Sequence, residues 1–435
     1  MSSYLTTRIA PVVRLNEEGP SSRTLAEWWA SERSSQTPEA TAIQEAARLL
    51  QTSDIPVAFP TETVYGLGAD ATRSKAVQGI YKAKQRPSDN PLIVHVDSLG
   101  MLDRLLNPDL ASPTRETKTP RNTIPPIYQP LIERFWPGPL TILLANPSGS
   151  LLAKEVTSTL TTFGVRMPAS PLARLLIHVA DRPLAAPSAN ASTKPSPTTA
   201  EHVYHDLQGR IELILDGGPC GVGVESTVVD GTCDPPVILR PGGIGIEELR
   251  ACPGWEKVGI AYNDGSLEVK EVPRAPGMKY RHYSPRASVV LFEPESNVEA
   301  ISKRILHDME DSAVGVRRVG TVRTKHWARG LGLLSEAEMT ESLKTLPSPV
   351  LDLVGFSVPV DDDKVKDAAE SKEMFDCYLG DDIESVARRL FFALRAMDEL
   401  GVDIIYVEGI SDKDGDLSAA VMNRLRKAAE AEIQV

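Results

Sequence analysis

Residues Ile55–Thr72, "IPVAFPTETVYGLGADAT", decide how the chain is read. An apolar run leaves through Pro60 and is followed at once by Thr61, Glu62, Thr63 and Tyr65, closed by Gly66 and Gly68. Taken alone, the stretch is a strand-to-helix turn in which hydroxyls cap the helix and glycines supply positive φ. Upstream, "EATAIQEAARLLQTSD" sets Ala40, Ile43, Ala47 and Leu50 on one helical face. Helix, short buried strand and polar turn thus follow in order, an α/β opening.

Downstream, a helix at "SKAVQGIYKAKQR", capped by Ser74 and stopped by Pro87, leads into the strand "PLIVHV". Further strands are expected at "LTILL", "TFGVRMP", "PLAAPSAN", "IELILDGG", "VESTVVDG" and "VILRPGG", with a clear helix at "SPLARLLIHVAD". Strands crowd the end of this half, so the sheet is expected to be mixed. Residues 107–126 hold five prolines and many hydroxyls, which reads as a surface insertion.

At 435 residues the chain exceeds one typical core, and two domains are the expectation. We read 1–38 as an N-terminal extension, 39–252 as the first α/β domain, 253–287 as a linker, and 288–435 as a smaller parallel α/β domain of Rossmann-like rhythm. In the linker, "MKYRHYSP" is either a plain tether or a lid. A formal charge of −12 and a pI near 5.2 exclude non-specific coating of nucleic acid or anionic membrane, so any RNA contact must be local.

Cys220, Cys233, Cys252 and Cys377 show no C-x-x-C pair and no metal-ligand rhythm, which fits buried free thiols in a reducing compartment. No run approaches the 18 apolar residues of a membrane span, so no membrane partner is expected. Arg8 and Arg14, with hydroxyls and no acid before Glu17, give a faint transit-peptide flavour, although "TTRIAPVV" reads equally as a first strand. The expectation is a cytoplasmic protein with at most a minor mitochondrial pool.

Four stretches of the first domain gather polar side chains at strand ends, where open α/β sheets hold ligands. In "YKAKQRPSDNPLIVH", Lys82, Lys84 and Arg86 read as a solvated helix end or as phosphate-neutralising groups, with Asn90 in reach of the same ligand. His95, inside an apolar strand, is a core histidine or a ligand contact. In "TFGVRMP", a buried Arg166 needs an anionic partner, which is Glu62 or a ligand carboxylate. In "PLAAPSANASTKPSPTTAEHV", seven hydrogen-bonding side chains between Ser188 and Thr199 exceed what one helix cap uses. In "VESTVVD" and "ILRPGG", Ser226, Thr227 and Arg240 are further donors at strand edges. "GGPCGVG" has neither the spacing nor the following helix of a dinucleotide-binding loop.

The chain contains no P-loop, kinase signature, G-x-S-x-G elbow or H-E-x-x-H. The inventory suits binding of a nucleoside triphosphate and a small polar acid, with positioning and charge neutralisation as the catalytic means and no protein-held metal.

Read together, "FPTETVYGLG", "YKAKQRPSDNPLIVH", "FWPGPLTILL", "GVRMP", "PLAAPSANASTKPSPT" and "VESTVVD" resemble the YrdC-like family over residues 40–250, and the linker plus second domain is similar to its two-domain members. The resemblance implies a twisted mixed sheet flanked by helices. The activity it implies is a threonylcarbamoyl-adenylate synthase: L-threonine, bicarbonate and ATP give the adenylate and pyrophosphate, and a downstream threonylcarbamoyl-transferase complex modifies tRNAs reading codons that begin with A. By that resemblance Thr63, His95, Arg166, the Ala186 backbone and Ser226 face threonine. Arg86, Asn90, Thr162, Ser188, Asn190, Ser196, Arg240 and the linker's Tyr283 face ATP. Lys82, Lys84 and Arg86 act catalytically on the phosphates, with Mg2+ held through those phosphates, and tRNA is met transiently if at all.

Overall fold

Thr37 accepts a hydrogen bond from the Ala40 amide and Pro38 opens the first turn, so the helix expected upstream of the PTET stretch runs Pro38–Thr52 (α1). Ala40, Ile43, Ala47 and Leu50 are all buried on it. The next helix, Ser74–Lys84 (α2), departs from expectation at both ends. Ser74 lies inside the first turn and gives its hydroxyl proton to Glu155 at 2.6 Å. The helix stops before Pro87 because Gln85 adopts a left-handed conformation (φ 53°, ψ 46°). Ser170 caps Pro171–Ala180 (α3) and Thr199 caps Ala200–Leu207 (α4).

The computed structural model describes residues 5–12, 15, 25–87, 90–108, 122–262, 283–294, 296–310, 316–333, 344–345, 350–358, 372–415 and 417–434. They fall into two units. One runs to Ser192 and resumes from Ser196 to residue 262, and the other holds Thr193–Pro195 and the residues from Tyr283 onward. Residues 109–121 of the expected insertion and 263–282 of the expected linker, with most of the "MKYRHYSP" segment, lie outside the described residues. At the base of the insertion, Asn107 and Asn122 clasp each other: the Asn122 amide donates to Asn107 Oδ1 at 2.8 Å, and Asn107 Nδ2 donates to the Asn122 carbonyl at 2.9 Å.

The sheet of the first unit contains β1 (Arg8–Pro11), β2 (Val57–Pro60), β3 (Tyr65–Asp70), β4 (Ile93–His95), β5 (Leu140–Ala145), β6 (Thr162–Arg166), β7 (Leu184–Ala185), β8 (Leu213–Asp216), β9 (Thr227–Asp230), β10 (Val237–Arg240) and β11 (Gly259–Ile260). Their order is β1-β8-β2-β3-β7-β4-β6-β5-β9-β10-β11, with parallel and antiparallel neighbours mixed as expected. Arg8–Pro11 pairs with Leu213–Asp216, so the strand reading of "TTRIAPVV" holds and part of the 1–38 segment belongs to this sheet.

The PTET stretch is a hairpin end and not a strand-to-helix turn: Val57 pairs with Gly68 and Pro60 with Tyr65, antiparallel. Gly66 and Gly68 accordingly sit in an extended strand, and neither is among the residues with positive φ. Their value is room for the Phe59 ring, whose Cε1 would lie 2.6 Å from a Cβ at position 68.

Strand pleating then divides the residues of the sheet centre by parity. Val94, Ile142, Val165 and Val229 face the large core. Ile93, Leu143 and Val228 face a smaller apolar cluster on the other side, and His95, Gly164, Arg166 and Thr141 share that second side by alternation.

The second unit has β12 (Ser288–Phe292), β13 (Arg318–Arg323), β14 (Lys344–Thr345), β15 (Asp352–Val358), β16 (Lys372–Tyr378), β17 (Ile404–Glu408) and β18 (Ala431–Ile433), ordered β14-β15-β16-β13-β17-β12-β18. The pairs from β16 to β18 are parallel, as the strand and helix rhythm suggested. Strands β14 and β15 add an antiparallel edge that this rhythm does not contain. Helices Val298–Glu310 (α5), Ile383–Glu399 (α6) and Ser418–Ala428 (α7) connect the parallel strands.

Candidate active site

The turn joining β2 to β3 is organised by one hydroxyl. Thr61 Oγ1 donates to the Val64 carbonyl at 2.6 Å and receives the Thr63 and Val64 amides at 3.2 and 3.3 Å. The glycine-bearing loop that the sequence does not resolve lies alongside, its Val222 and Gly223 amides donating to the carbonyls of Glu62 and Thr63 at 2.8 and 3.1 Å. Glu62 and Thr63 are thereby held in place side by side.

Arg166, 4% exposed at the end of β6, closes this arrangement. Its Nε donates to the Gly138 carbonyl (3.2 Å), Nη1 to Thr63 Oγ1 (2.9 Å) and Nη2 to Glu62 Oε1 (2.5 Å). Of the two partners the sequence left open, Glu62 is the one the structure supplies. The guanidinium has five N–H donors, so these three bonds leave two for a ligand. Burial raises the Glu62 pKa, but the Arg166 charge and hydrogen bond outweigh it and hold the carboxyl below its ordinary value.

His95 is the register partner of Arg166 on the neighbouring parallel strand. Its Nδ1 lies 3.3 Å from the Ile93 carbonyl, which can only accept, so in the tautomer that makes this bond Nδ1 carries the proton. The same carbonyl receives the Ala186 amide at 3.0 Å, so Ala186 has only its own carbonyl to offer a ligand. Burial, and then the Arg166 charge, lower the His95 pKa to about 3, which keeps the imidazole neutral. Burial followed by the Glu62 charge pushes the nearby Cys220 thiol up, so it is not a thiolate nucleophile. Cys220, Cys252 and Cys377 are buried as expected, whereas Cys233, in the turn after β9, is exposed.

A second cluster forms where β9 meets β10. Register shifts between Ile238 and Arg240, and this bulge sets Arg240 opposite Val228, on the side away from the large core. Arg240 Nη2 donates to the Ser226 carbonyl at 2.9 Å and to Ser226 Oγ at 3.0 Å, and Thr141 Oγ1 lies 2.8 Å from Ser226 Oγ. Ser196 donates to Glu225 Oε1 at 2.5 Å, tying the hydroxyl-rich loop to this same segment. Gly242 permits the "RPGG" turn to press on it, since a Cβ there would meet Glu225 O, Ser226 C and Thr227 N at 2.3 Å.

Residues 50–242 match the family model described as Telomere recombination, and residues 244–430 match the one described as Threonylcarbamoyl-AMP synthase, C-terminal domain. The threonylcarbamoyl-AMP synthase of Schizosaccharomyces pombe is 46% identical over 403 residues, spanning 89% of this chain and 88% of that protein. The chain belongs to the threonylcarbamoyl-AMP synthase family. The Bacillus subtilis threonylcarbamoyl-AMP synthase is 42% identical over 388 residues, covering 89% of this chain and 92% of its own. A crystal structure of Pyrococcus abyssi Sua5 complexed with L-threonine has a TM-score of 0.71 at 36% identity, over 99% of this chain and 100% of that one. The chain is therefore an enzyme of this nucleotidyltransferase kind.

In this family member Arg166 bonds Thr63 and is the register partner of His95, and His95 and the Ala186 amide both meet the Ile93 carbonyl, while Ser226 and Arg240, which the sequence reading divides between threonine and ATP, touch each other. Lys84 is 3% exposed and its ammonium is bound to the Ser188 carbonyl, the Asn190 carbonyl (2.8 Å) and Asn190 Oδ1 (3.2 Å). Ser188 Oγ donates to the same Oδ1 at 2.6 Å. Lys84 thus shapes the Ser188–Asn190 loop. Lys82, two residues away and about 200° round the helix, is exposed. Arg86 and Asn90 follow the helix end, half-buried.

Thr162 opens β6, about 13 Å along the strand from Arg166 but on the same side of the sheet. Tyr283 lies in the second unit, its ring centroid 5.1 Å from Phe391 and 5.9 Å from the Arg424 guanidinium carbon. Sequence reasoning assigned no role to Thr61, Thr141 or Glu225. The signal was there for two of them: Thr141 interrupts an apolar strand, and Glu225 is an acid within "GVESTVV".

Proposed function

We propose that the chain condenses L-threonine, bicarbonate and ATP into L-threonylcarbamoyladenylate and pyrophosphate, with loss of water. The observation that carries this reading is the convergence of Thr63, His95 and Arg166, together with family membership. The two remaining Arg166 N–H groups take the threonine carboxylate in a fork. Thr63 Oγ1 and the neutral His95 imidazole take its hydroxyl and amine.

The amine lone pair attacks the bicarbonate carbon, the bicarbonate hydroxyl leaves with one amine proton as water, and a carbamate results. A carbamate oxygen then attacks the α-phosphorus in line, and the bond to pyrophosphate breaks. Arg86 and Lys82 neutralise the departing charge, whereas Lys84 acts by holding Ser188 and Asn190 toward the nucleotide. Asn90, Thr162, Ser196 and Arg240 are assigned to the ATP side, with Ser226 at the border between the substrates. The packing of Tyr283 on Phe391 supports a scaffolding role in the second unit.

Magnesium would enter on the triphosphate; among the described residues no three His, Cys, Asp or Glu side chains converge to hold an ion. The catalytic part is assigned to 39–252 with β1, and 253–287 to the linker. The product passes to a threonylcarbamoyl-transferase complex acting on tRNA. We assign the enzyme to the cytoplasm; among the described residues no helix is long and apolar enough to cross a membrane.

The reading is tested by incubating the protein with ATP, threonine and isotope-labelled bicarbonate and separating nucleotides at once. Label in an adenylate that requires threonine supports it; label-free AMP or no nucleotide change overturns it.

A further inference from the structure

The hydroxyl-rich loop is closed at both ends by one residue. The Ala189 amide donates to the Tyr65 carbonyl at 2.8 Å, and the Tyr65 amide donates to the Pro197 carbonyl at 2.9 Å. Between those ends, the Ser192 amide is held by the Lys84 carbonyl at 2.9 Å, and the hydroxyl of the buried Ser196 by Glu225. Thr193, Lys194 and Pro195, which lie between Ser192 and Ser196, belong to the second unit. Their backbone partners are there. The Thr193 carbonyl receives the Ser284 amide at 2.9 Å, and the Pro195 carbonyl receives Arg395 Nη2.

Three features give the bond from Arg395 its weight. Arg395 is 4% exposed on α6, among the buried Leu390, Phe391, Leu394 and Met397, and a guanidinium that cannot shed its charge is kept in such a place only by acceptors. Pro195 and Pro197 carry no N–H, so at both positions the chain is anchored through a carbonyl. Thr193 has a left-handed backbone (φ 73°), which a β-branched residue keeps only where its surroundings impose it. The Pro195 carbonyl shares one rigid peptide plane with the nitrogen and Cα of Ser196, so a bond that aims this carbonyl also aims Ser196.

We infer that Arg395 is a positioning residue for nucleotide binding: by holding the Pro195 carbonyl it sets the peptide plane of Ser196, and so makes a helix of the second unit a determinant of affinity for ATP. The inference rests on the proposed function, in which Ser188, Asn190 and Ser196 face the nucleotide. Arg395 meets no substrate in this scheme. Its effect travels through the backbone of Pro195 and Ser196, and therefore falls on ATP and not on threonine.

The test is steady-state pyrophosphate release, with ATP varied at saturating threonine and threonine varied at saturating ATP, in the wild-type protein, Arg395→Met, Arg395→Lys and Leu394→Val. In Arg395→Met the KM for ATP is expected to rise about tenfold, while kcat and the threonine KM stay within about twofold. Arg395→Lys, which keeps a donor ammonium, is expected to limit the rise to about threefold. Leu394→Val loosens the core side of the same helix without touching Pro195, and is expected to lower the thermal midpoint with the ATP KM unchanged.

An unchanged ATP KM in Arg395→Met overturns the inference, as does a rise of equal size for both substrates. A rise in Leu394→Val equal to that in Arg395→Met also overturns it, because any weakening of the second unit would then suffice, and so does a rise in Arg395→Lys equal to that in Arg395→Met. Should Arg395→Met not be recovered folded, Arg395→Gln, which keeps a polar head on a shorter stem, gives the same comparison. Absence of threonine-dependent release in the wild-type protein would instead refute the proposed function, a distinct outcome.

Discussion

His95 and Arg166 stand opposite each other on adjacent parallel strands, so imidazole and guanidinium project from one side of the sheet, beside the hydroxyl of Thr63. The pairing places a neutral acceptor next to a fixed cation. Such a pair can hold an amino acid by its carboxylate and its amine while discouraging the ammonium form, because a positive charge is already there.

The neutrality of His95 has a measurable sign. Its pKa is about 3 in the folded protein against 6.5 ordinarily, so between those values the unfolded chain binds a proton that the folded chain refuses. Stability is present above pH 6.5 and is lost as pH falls below it, with a slope of up to about 1.4 kcal/mol per pH unit from this group. Urea melts at pH 7 and pH 5 should show a smaller loss in His95→Asn than in the wild-type protein. The threonine KM should carry no inflection near pH 6.5 that His95→Asn removes.

Glu62 and Arg166 are buried together, and either alone is costly. Glu62→Ala should destabilise by about 3–5 kcal/mol, because it strands a buried guanidinium. Adding Arg166→Met should recover a large part of that loss while leaving the enzyme inactive. Chemical denaturation of the two single variants and the double variant checks this; additive losses would contradict the pairing.

The two lysines of α2 should separate cleanly. Lys84→Met removes the cation that gathers Ser188 and Asn190, so it should lower stability by about 2–3 kcal/mol as well as activity. Lys82→Ala, at an exposed position, should change stability by less than about 0.5 kcal/mol and act only on turnover. Thermal melts beside kcat for both variants decide the matter.

Gly242 is a packing requirement of the second cluster. Gly242→Ala would drive a Cβ into the backbone of Glu225–Thr227, where the nearest atoms lie at 2.3 Å. Displacement of Ser226 should cost at least about tenfold in kcat/KM, whereas Gly218→Asn, at a left-handed position with nothing within 4 Å, should be mild.

Much of this was legible in the sequence, because alternation and caps are local. The face of α1, the helix within "SPLARLLIHVAD" and the mixed first sheet all follow from residue spacing. What escaped depends on partners far along the chain. Gly66 and Gly68 look like turn glycines until the Phe59 ring is set against them. Ser74 looks like a cap until Glu155, 81 residues away, claims its proton. Lys82 and Lys84 are indistinguishable in sequence, and only the docking of the Ser188–Asn190 loop makes one of them structural. The antiparallel edge of the second sheet follows a hairpin whose pairing no local signal announced.

The most direct measurement is pyrophosphate release from ATP and bicarbonate with threonine, serine or no amino acid, using the wild-type protein, Arg166→Met and Arg86→Ala. The account requires release that depends on threonine, exceeds that with serine, and is lost in both variants. Equal release with and without threonine, or threonine-dependent release that survives Arg166→Met, would contradict the assignment of the amino-acid pocket to Thr63, His95 and Arg166.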